Sequence, residues 1–149
     1  MPSASIKKII SCSKKDLIAM ILDIERYSEF VPWCLSGKIH KKEDKSDIIE
    51  MQADLTVGKK FLNQTYTSHV TYYKDKGKII VNNIGGPLKS LENIWEIREI
   101  NNQSEVNFKI DFEIKNIVYN MIMKKSFDHG LKKIADAFEK RAMELFKKS

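Results

Sequence analysis

The chain has little of what cross-links, breaks or hinges a fold: its 149 residues hold two cysteines, three prolines and six glycines. Cys12 and Cys34 can make neither a disulfide framework nor a four-cysteine metal site, and two reduced thiols suit a cytoplasmic protein. The longest purely apolar run, Leu17–Leu22, falls far short of the roughly 20 residues that span a bilayer. The opening MPSASIKK has no apolar core of the kind a secretory signal carries. No repeat, low-complexity tract or Pro/Gly/Ser linker divides the sequence, so a single domain over 1–149 is expected. Arginine is scarce as well: only three of the 26 basic residues are arginine and the rest are lysine. The net charge of +6 therefore reads two ways. It is either a solvated, lysine-rich surface of the kind AT-biased coding produces, or attraction for an anionic membrane surface or RNA. No DNA partner is expected.

What the chain does have is ordered hydrophobicity. Residues 4–11 read as a strand. Ser13 to Asp16 form a weak capping box ahead of the stripe Leu17, Ile18, Ile21, Leu22, and a second short helix starts near Asp23 and ends before Pro32. From Ser36 to Lys115 the period becomes two. Met51, Ala53, Leu55 and Val57 share one face, and Leu62, Tyr66, Val70 and Tyr72 form the face of a following strand. Val106, Phe108, Ile110, Phe112 and Ile114 alternate most cleanly, opposite Asp111 and Glu113 on a solvent face. KDKG at 74–77 and NNQS at 101–104 read as hairpin turns, and GGP at 85–87 as a break between strands. Over 117–147 the spacing predicts one long helix. Its stripe of Phe127, Leu131, Ile134, Phe138, Ala142 and Leu145 fits an arc of roughly 80°. Asp128/Lys132, Asp136/Lys140 and Glu144/Lys148 pair acid four residues before base on the outer face. A strand, two short helices, about six antiparallel strands and a long helix make an α+β layout, with an apolar space between sheet and helix.

Catalytic patterns are missing. His40, His69 and His129 share no metal-ligand spacing, GGP lacks the context of a phosphate loop, and no acid/base pair or nucleophile arrangement stands out. No metal, no cofactor and no enzymatic activity are expected.

Five segments carry a resemblance. They are YSEFVPWC (27–34) with Ser36, ADLTVGKKFLNQTYTSHV (53–70), GGPLKSLENIWEI (85–97), VNFKIDFEIKNIVY (106–119) and AFEKRA (137–142). In this order they resemble the coenzyme Q-binding START-domain family, within the polyketide cyclase/START superfamily that includes bacterial ribosome-association toxin-like proteins. Leu88 and Ile117 depart from that pattern, where it has an aromatic residue and a proline. The resemblance implies a helix-grip (START/Bet v 1-like) fold, with a curved antiparallel sheet of six to seven strands around a long C-terminal helix. It also implies a lipid-sized tunnel. Carried onto this chain, the tunnel lining is Tyr27, Phe30, Val31, Pro32 and Trp33, then Leu55, Val57, Phe61 and Tyr66. Leu88, Leu91 and Trp95 follow, and finally Phe108, Phe112, Tyr119 and Phe127. The implied ligand is ubiquinone or a similar isoprenoid lipid, carried without catalysis in support of respiration or ubiquinone biosynthesis, in the cytoplasm or peripheral to the inner membrane. The alternatives are a ribosome-binding regulator that blocks subunit association and, third, a cyclase-like enzyme.

Overall fold

Alternating side chains commit the middle of the chain to strands, and the structure pairs all of them in one sheet. A computed structural model describes residues 3–59, 62–86, 88–115 and 117–146. In chain order these are β1 (Ser3–Ile10), α1 (Lys14–Leu22), a short 3-10 helix (Ile24–Glu29), β2 (Cys34–Asp44), β3 (Ile48–Lys59), β4 (Leu62–Tyr73), β5 (Lys78–Gly85), β6 (Leu88–Ile100), β7 (Gln103–Ile114) and α2 (Ile117–Phe146). The sheet order is β1-β7-β6-β5-β4-β3-β2, antiparallel throughout. This is the expected α+β helix-grip layout, seven strands curved about a C-terminal helix. Register shifts in β2, β5 and β6 bend those strands and increase their twist, which curves the sheet.

Local chemistry sets the boundaries. Ser13 caps α1 by accepting from the Asp16 N–H at 3.1 Å, the interaction read from the sequence. The β6–β7 hairpin turns on Asn101 and Asn102, at φ 50° and 66°, as a two-residue hairpin with the sheet's right-handed twist requires. The expected second helix is a 3-10 segment that ends at Glu29, because six residues are too few to repay an α-helical nucleus. The edge strand β2 runs directly beneath it. A Cβ on Gly37 would lie 2.4 Å from the Ile24 carbonyl oxygen, so only glycine fits there.

The inner face follows from register. Met51, Ala53, Leu55 and Val57 on β3 stand beside Val70, Ser68, Tyr66 and Gln64 on β4. Leu91, Trp95 and Ile97 of β6 stand beside Phe112, Phe108 and Val106 of β7. Leu17, Ile18 and Ile21 of α1 plug one end of this face, where Met51, Val70, Ile79 and Ile97 are fully buried. Leu131, Phe138 and Ala142 of α2 are buried in the same core. The Phe138 ring packs T-shaped against Tyr27, Phe30 and Trp95, at 5.4, 5.1 and 5.1 Å between centroids.

Two expectations for α2 need correction. Leu145 is 49% exposed, because Phe146, four residues after Ala142, takes the place against the core. Asp136 and Glu139 reach Lys8 of β1 at 2.7 and 2.9 Å, so Asp136 ties the helix to the sheet edge instead of serving only an outer face. The side chains of Phe127 and Asp128, and all of Lys148, lie outside the described residues.

Phe138→Ala is expected to lower unfolding free energy by about 3–5 kcal/mol, read by urea denaturation. A loss under about 1 kcal/mol would show that the ring is not a core element.

Candidate functional site

The aromatic stretch after the 3-10 helix is held by its own backbone. Val31 N–H and Phe30 N–H both donate to the Tyr27 carbonyl, at 2.8 and 3.2 Å, and Cys34 N–H donates to Val31 at 3.2 Å. Tyr27 Oη donates to the Ile21 carbonyl of α1. Within this turn Trp33 is left-handed, φ 64°, which costs an L-residue about 1–2 kcal/mol. The Trp33 carbonyl accepts from Gly58 N–H of β3 at 2.9 Å, which holds the strained residue in place. Its indole faces Gly130 of α2, where an added Cβ would meet ring atoms at an ordinary 3.7 Å. Trp33 is nonetheless 40% exposed and Leu35 48%, so the pair forms an apolar lip.

The other expected lining residues divide into two groups. Trp95 and Phe108 are packed core: their rings lie 4.5 Å apart and belong to the main hydrophobic cluster. The hollow beside them, between β1 and α2, is about 20 Å³, room for about one water. Tyr27, Phe30, Val31 and Leu55 are half-buried against that cluster. Val57, Tyr66, Leu91, Phe112 and Cys34 lie beyond it, at the far ends of their strands, with Pro32 and Trp33 nearby in the chain. Leu55, Val57 and Tyr66 keep accessible surface although they face inward, while Met51, Ala53 and Val70 on the same two strands keep almost none. Inner-face surface on these two strands is thus accessible at both ends, at Leu55, Val57 and Tyr66 toward the lip and at Ile49 and Tyr72 beside α1, with Met51, Ala53 and Val70 sealed between them. Phe61 lies outside the described residues, as do the side chains of Leu88, Tyr119 and Phe127.

A larger cleft of about 690 Å³ flanks α1, lined by Ile18, Ala19, Leu22, Ile39, Ile49 and Tyr72 with Lys14, Lys15 and Lys42. None of the expected lining residues among the described ones borders it. Ile49 and Val57 stand at opposite ends of β3, roughly 25 Å apart along the strand, so this cleft is a separate feature from the lip.

Burial sets the electrostatics of the open end. It pushes the Tyr27 hydroxyl far above its usual range, helped by Tyr66 and Cys34 nearby. It pushes Tyr66 up to about 12, again with a contribution from Cys34, and it raises the Cys34 thiol. All three groups are neutral at pH 7, able to donate hydrogen bonds but not poised as bases or nucleophiles. Sequence reading singled out apolar residues and missed the polar ones on this inner face, Ser68 and Asn93. The alternation of Tyr66, Ser68 and Val70 was the available signal. Asn93 is satisfied, accepting from Trp95 Nε1 at 2.7 Å and donating to the Lys109 carbonyl at 3.0 Å.

On the convex face His40 Nε2 and Thr67 Oγ1 both contact Asp54, at 2.7 and 2.5 Å. Three catalytic residue types meet here, but the carboxylate sits in the middle, so the histidine cannot deprotonate the hydroxyl. The trio ties β2, β3 and β4 together. Among the described residues no cluster of three or more His, Cys, Asp or Glu could hold a metal.

Residues 11–139 match the family model described as polyketide cyclase / dehydrase and lipid transport. The chain is 28% identical over 143 residues to the ribosome association toxin RatA of Rickettsia prowazekii, covering 94% of this chain and 95% of that one. It is 30% identical over 131 residues to the mitochondrial coenzyme Q-binding protein COQ10 of Dictyostelium discoideum, covering 86% of this chain and 62% of that one. The solution structure of the 18 kDa protein CC1736 of Caulobacter crescentus superposes with a TM-score of 0.79 at 26% identity, covering 97% and 98% of the two chains. A START superfamily protein from Mycobacterium smegmatis gives 0.80 at 20%, covering 96% and 98%, a likeness of fold.

Thr67 and then His40 hold the Asp54 carboxyl below its ordinary 3.8, and Lys8 does the same for Asp136. A depressed folded-state pKa stabilises above the unfolded value and is lost as pH falls through the folded one. The urea midpoint should therefore be flat from about pH 7 to 5 and fall below about pH 4. Asp54→Asn and Asp136→Asn should each flatten that fall, and an unchanged acid limb in both would remove these contacts as its source.

Proposed function

Because the chain belongs to the polyketide cyclase / dehydrase and lipid transport family, we propose that it binds ubiquinone or a similar isoprenoid lipid, without catalysis, in the interior between sheet and α2. The observation that carries this reading is the accessible apolar surface of Leu55, Val57 and Tyr66 on the inner face, reached past an exposed Trp33–Leu35 lip. An isoprenoid tail gains about 0.8 kcal/mol per buried methylene on such a surface. The coenzyme Q-binding name of the COQ10 relatives supports the same ligand class. The neutral Tyr27, Tyr66 and Cys34 support binding over reaction. No helix among the described residues is long and apolar enough to cross a membrane. Exposed lysines would bring the protein to an anionic bilayer peripherally, at about 1 kcal/mol each.

Protein purified from a quinone-containing host should carry sub-stoichiometric quinone, detected by solvent extraction and mass spectrometry. Replacing Val31 with Asn and Trp33 with Gln together should reduce it about tenfold and cost less than about 2 kcal/mol of stability, since one residue is half-buried and the other exposed. Blank extracts from several hosts, with no uptake of added quinone, would end this reading.

A second reading, ribosome binding, is favoured by the full-length match to proteins named ribosome association toxin. Against it, each of the three arginines contacts an acid: Arg26–Asp23, Arg98–Glu105 and Arg141–Glu29. Lys41, Lys45 and Lys74 are matched to acids as well. Phosphate-driven binding would make cosedimentation with ribosomal subunits fall steeply between low and physiological salt. Absence of cosedimentation even at low salt excludes it.

A further inference from the structure

The inner face holds an unexplained polar group. Ser68 lies on β4 between Tyr66 and Val70, opposite Ala53 on β3 and Asn83 on β5. It is 4% exposed, and its Oγ is sealed from solvent with no hydrogen-bond partner. Ser90 Oγ shares that state, but it pairs with Glu113 on the face of β6 opposite to Leu91, away from the interior. Ser68 faces the interior, paired regularly with β3 and next to the Ile84 bulge of β5, at a position where alanine would fill the same space without a stranded hydroxyl. A buried hydroxyl without a partner is destabilising by itself, so a reason to keep it must lie outside the ligand-free chain.

Its neighbour on the same face supplies the context. Tyr66 is half-buried, and burial keeps its hydroxyl protonated. Two hydroxyl donors thus stand two residues apart on the floor of the interior, while the entrance is apolar, with Trp33 and Leu35 40% and 48% exposed. A lipid entering tail-first would bury its chain against hydroxyls and leave its polar head on an apolar lip. Entering head-first, it would match both ends.

We infer that the ligand enters head-first, its head-group oxygen accepting hydrogen bonds from Tyr66 Oη and Ser68 Oγ, with its chain trailing out past Trp33. The head group is an uncharged acceptor such as a carbonyl, because a carboxylate or phosphate would have no cation to meet among Tyr66, Ser68 and Ala53. The inference rests on the quinone reading above. Ser68 is covered in the ligand-free chain, so head-group binding requires the half-buried Tyr66 ring to give way and the serine hydroxyl to turn toward the ligand.

The test uses the whole chain and compares a short-tailed ubiquinone with an isoprenoid hydrocarbon of the same length. Ser68→Ala should weaken quinone binding about fivefold and leave hydrocarbon binding unchanged. It should also raise the melting temperature of the ligand-free protein, by about 2–5 °C. These opposite signs separate a ligand contact from a structural one. Tyr66→Phe should weaken quinone binding similarly and shift the infrared carbonyl stretch of bound quinone to higher frequency. Quinone binding unchanged in both variants, or quinone and hydrocarbon weakened alike, overturns the head-first assignment while the quinone reading stands. A wild-type protein that takes up hydrocarbon but no quinone overturns both.

Discussion

One ring holds the fold together. Phe138 of α2 makes T-shaped contacts with Tyr27 and Phe30 from the segment after α1 and with Trp95 from the middle of the sheet. Helix, loop and sheet therefore share a single aromatic contact, with each pair contributing about 0.5–1.5 kcal/mol beyond area burial. Arg141, one turn further along α2, covers Phe30 at 5.3 Å and pairs with Glu29. Lys8 then fastens the helix to the edge of the sheet; hydrogen bonds to Asp136 and Glu139 raise its pKa above the ordinary 10.5. With α2 fixed along this half, the lip and the inner ends of β3, β4, β6 and β7 are free to differ from a close-packed core.

That division separates stability from binding within one sheet. The same strands bury Met51, Val70 and Ile79 completely and leave Leu55, Val57 and Tyr66 partly accessible a few residues on. The packed stretch under α1 supplies cohesion, so the chain carries a strained Trp33 and an unpartnered Ser68 without losing the fold. Such departures concentrate where a protein meets its ligand.

Much of this was legible in the sequence because strand and helix periods are set by backbone geometry. The alternation through Phe108 and Phe112, the Ser13 cap and the Asn101–Asn102 turn all appear where the residues place them. The helical stripe is legible down to Ala142 and fails at Leu145, because steps of three and of four residues both suit a helical face and the core takes the four-residue step to Phe146. The motif that marks Trp95 and Phe108 as tunnel lining cannot separate a wall from the core behind it; the structure adds that Trp95 packs on both Phe108 and Phe138. The backbone of Trp33 could not be read, since nothing in residue type predicts a tryptophan at positive φ. Ser68 was readable from its alternation with Tyr66 and Val70, but a serine in a threonine-rich strand looks like solvent-facing polarity.

The pairing of β1 with β7 has a consequence for synthesis. Ser3 lies opposite Asp111 and Ile10 opposite Ser104, so the earliest strand made is completed by the latest one. At about 5–20 residues per second, β1 waits roughly 5–20 s before its partner has been translated, and α2 comes later still. During that interval β2 to β6 can zip as successive hairpins, but β1 has no template and the apolar inner face has no helix over it. The nascent chain is therefore most open to misassociation just before α2 emerges. A segment held by closure of the two ends of the chain is exposed for longest when translation stalls late.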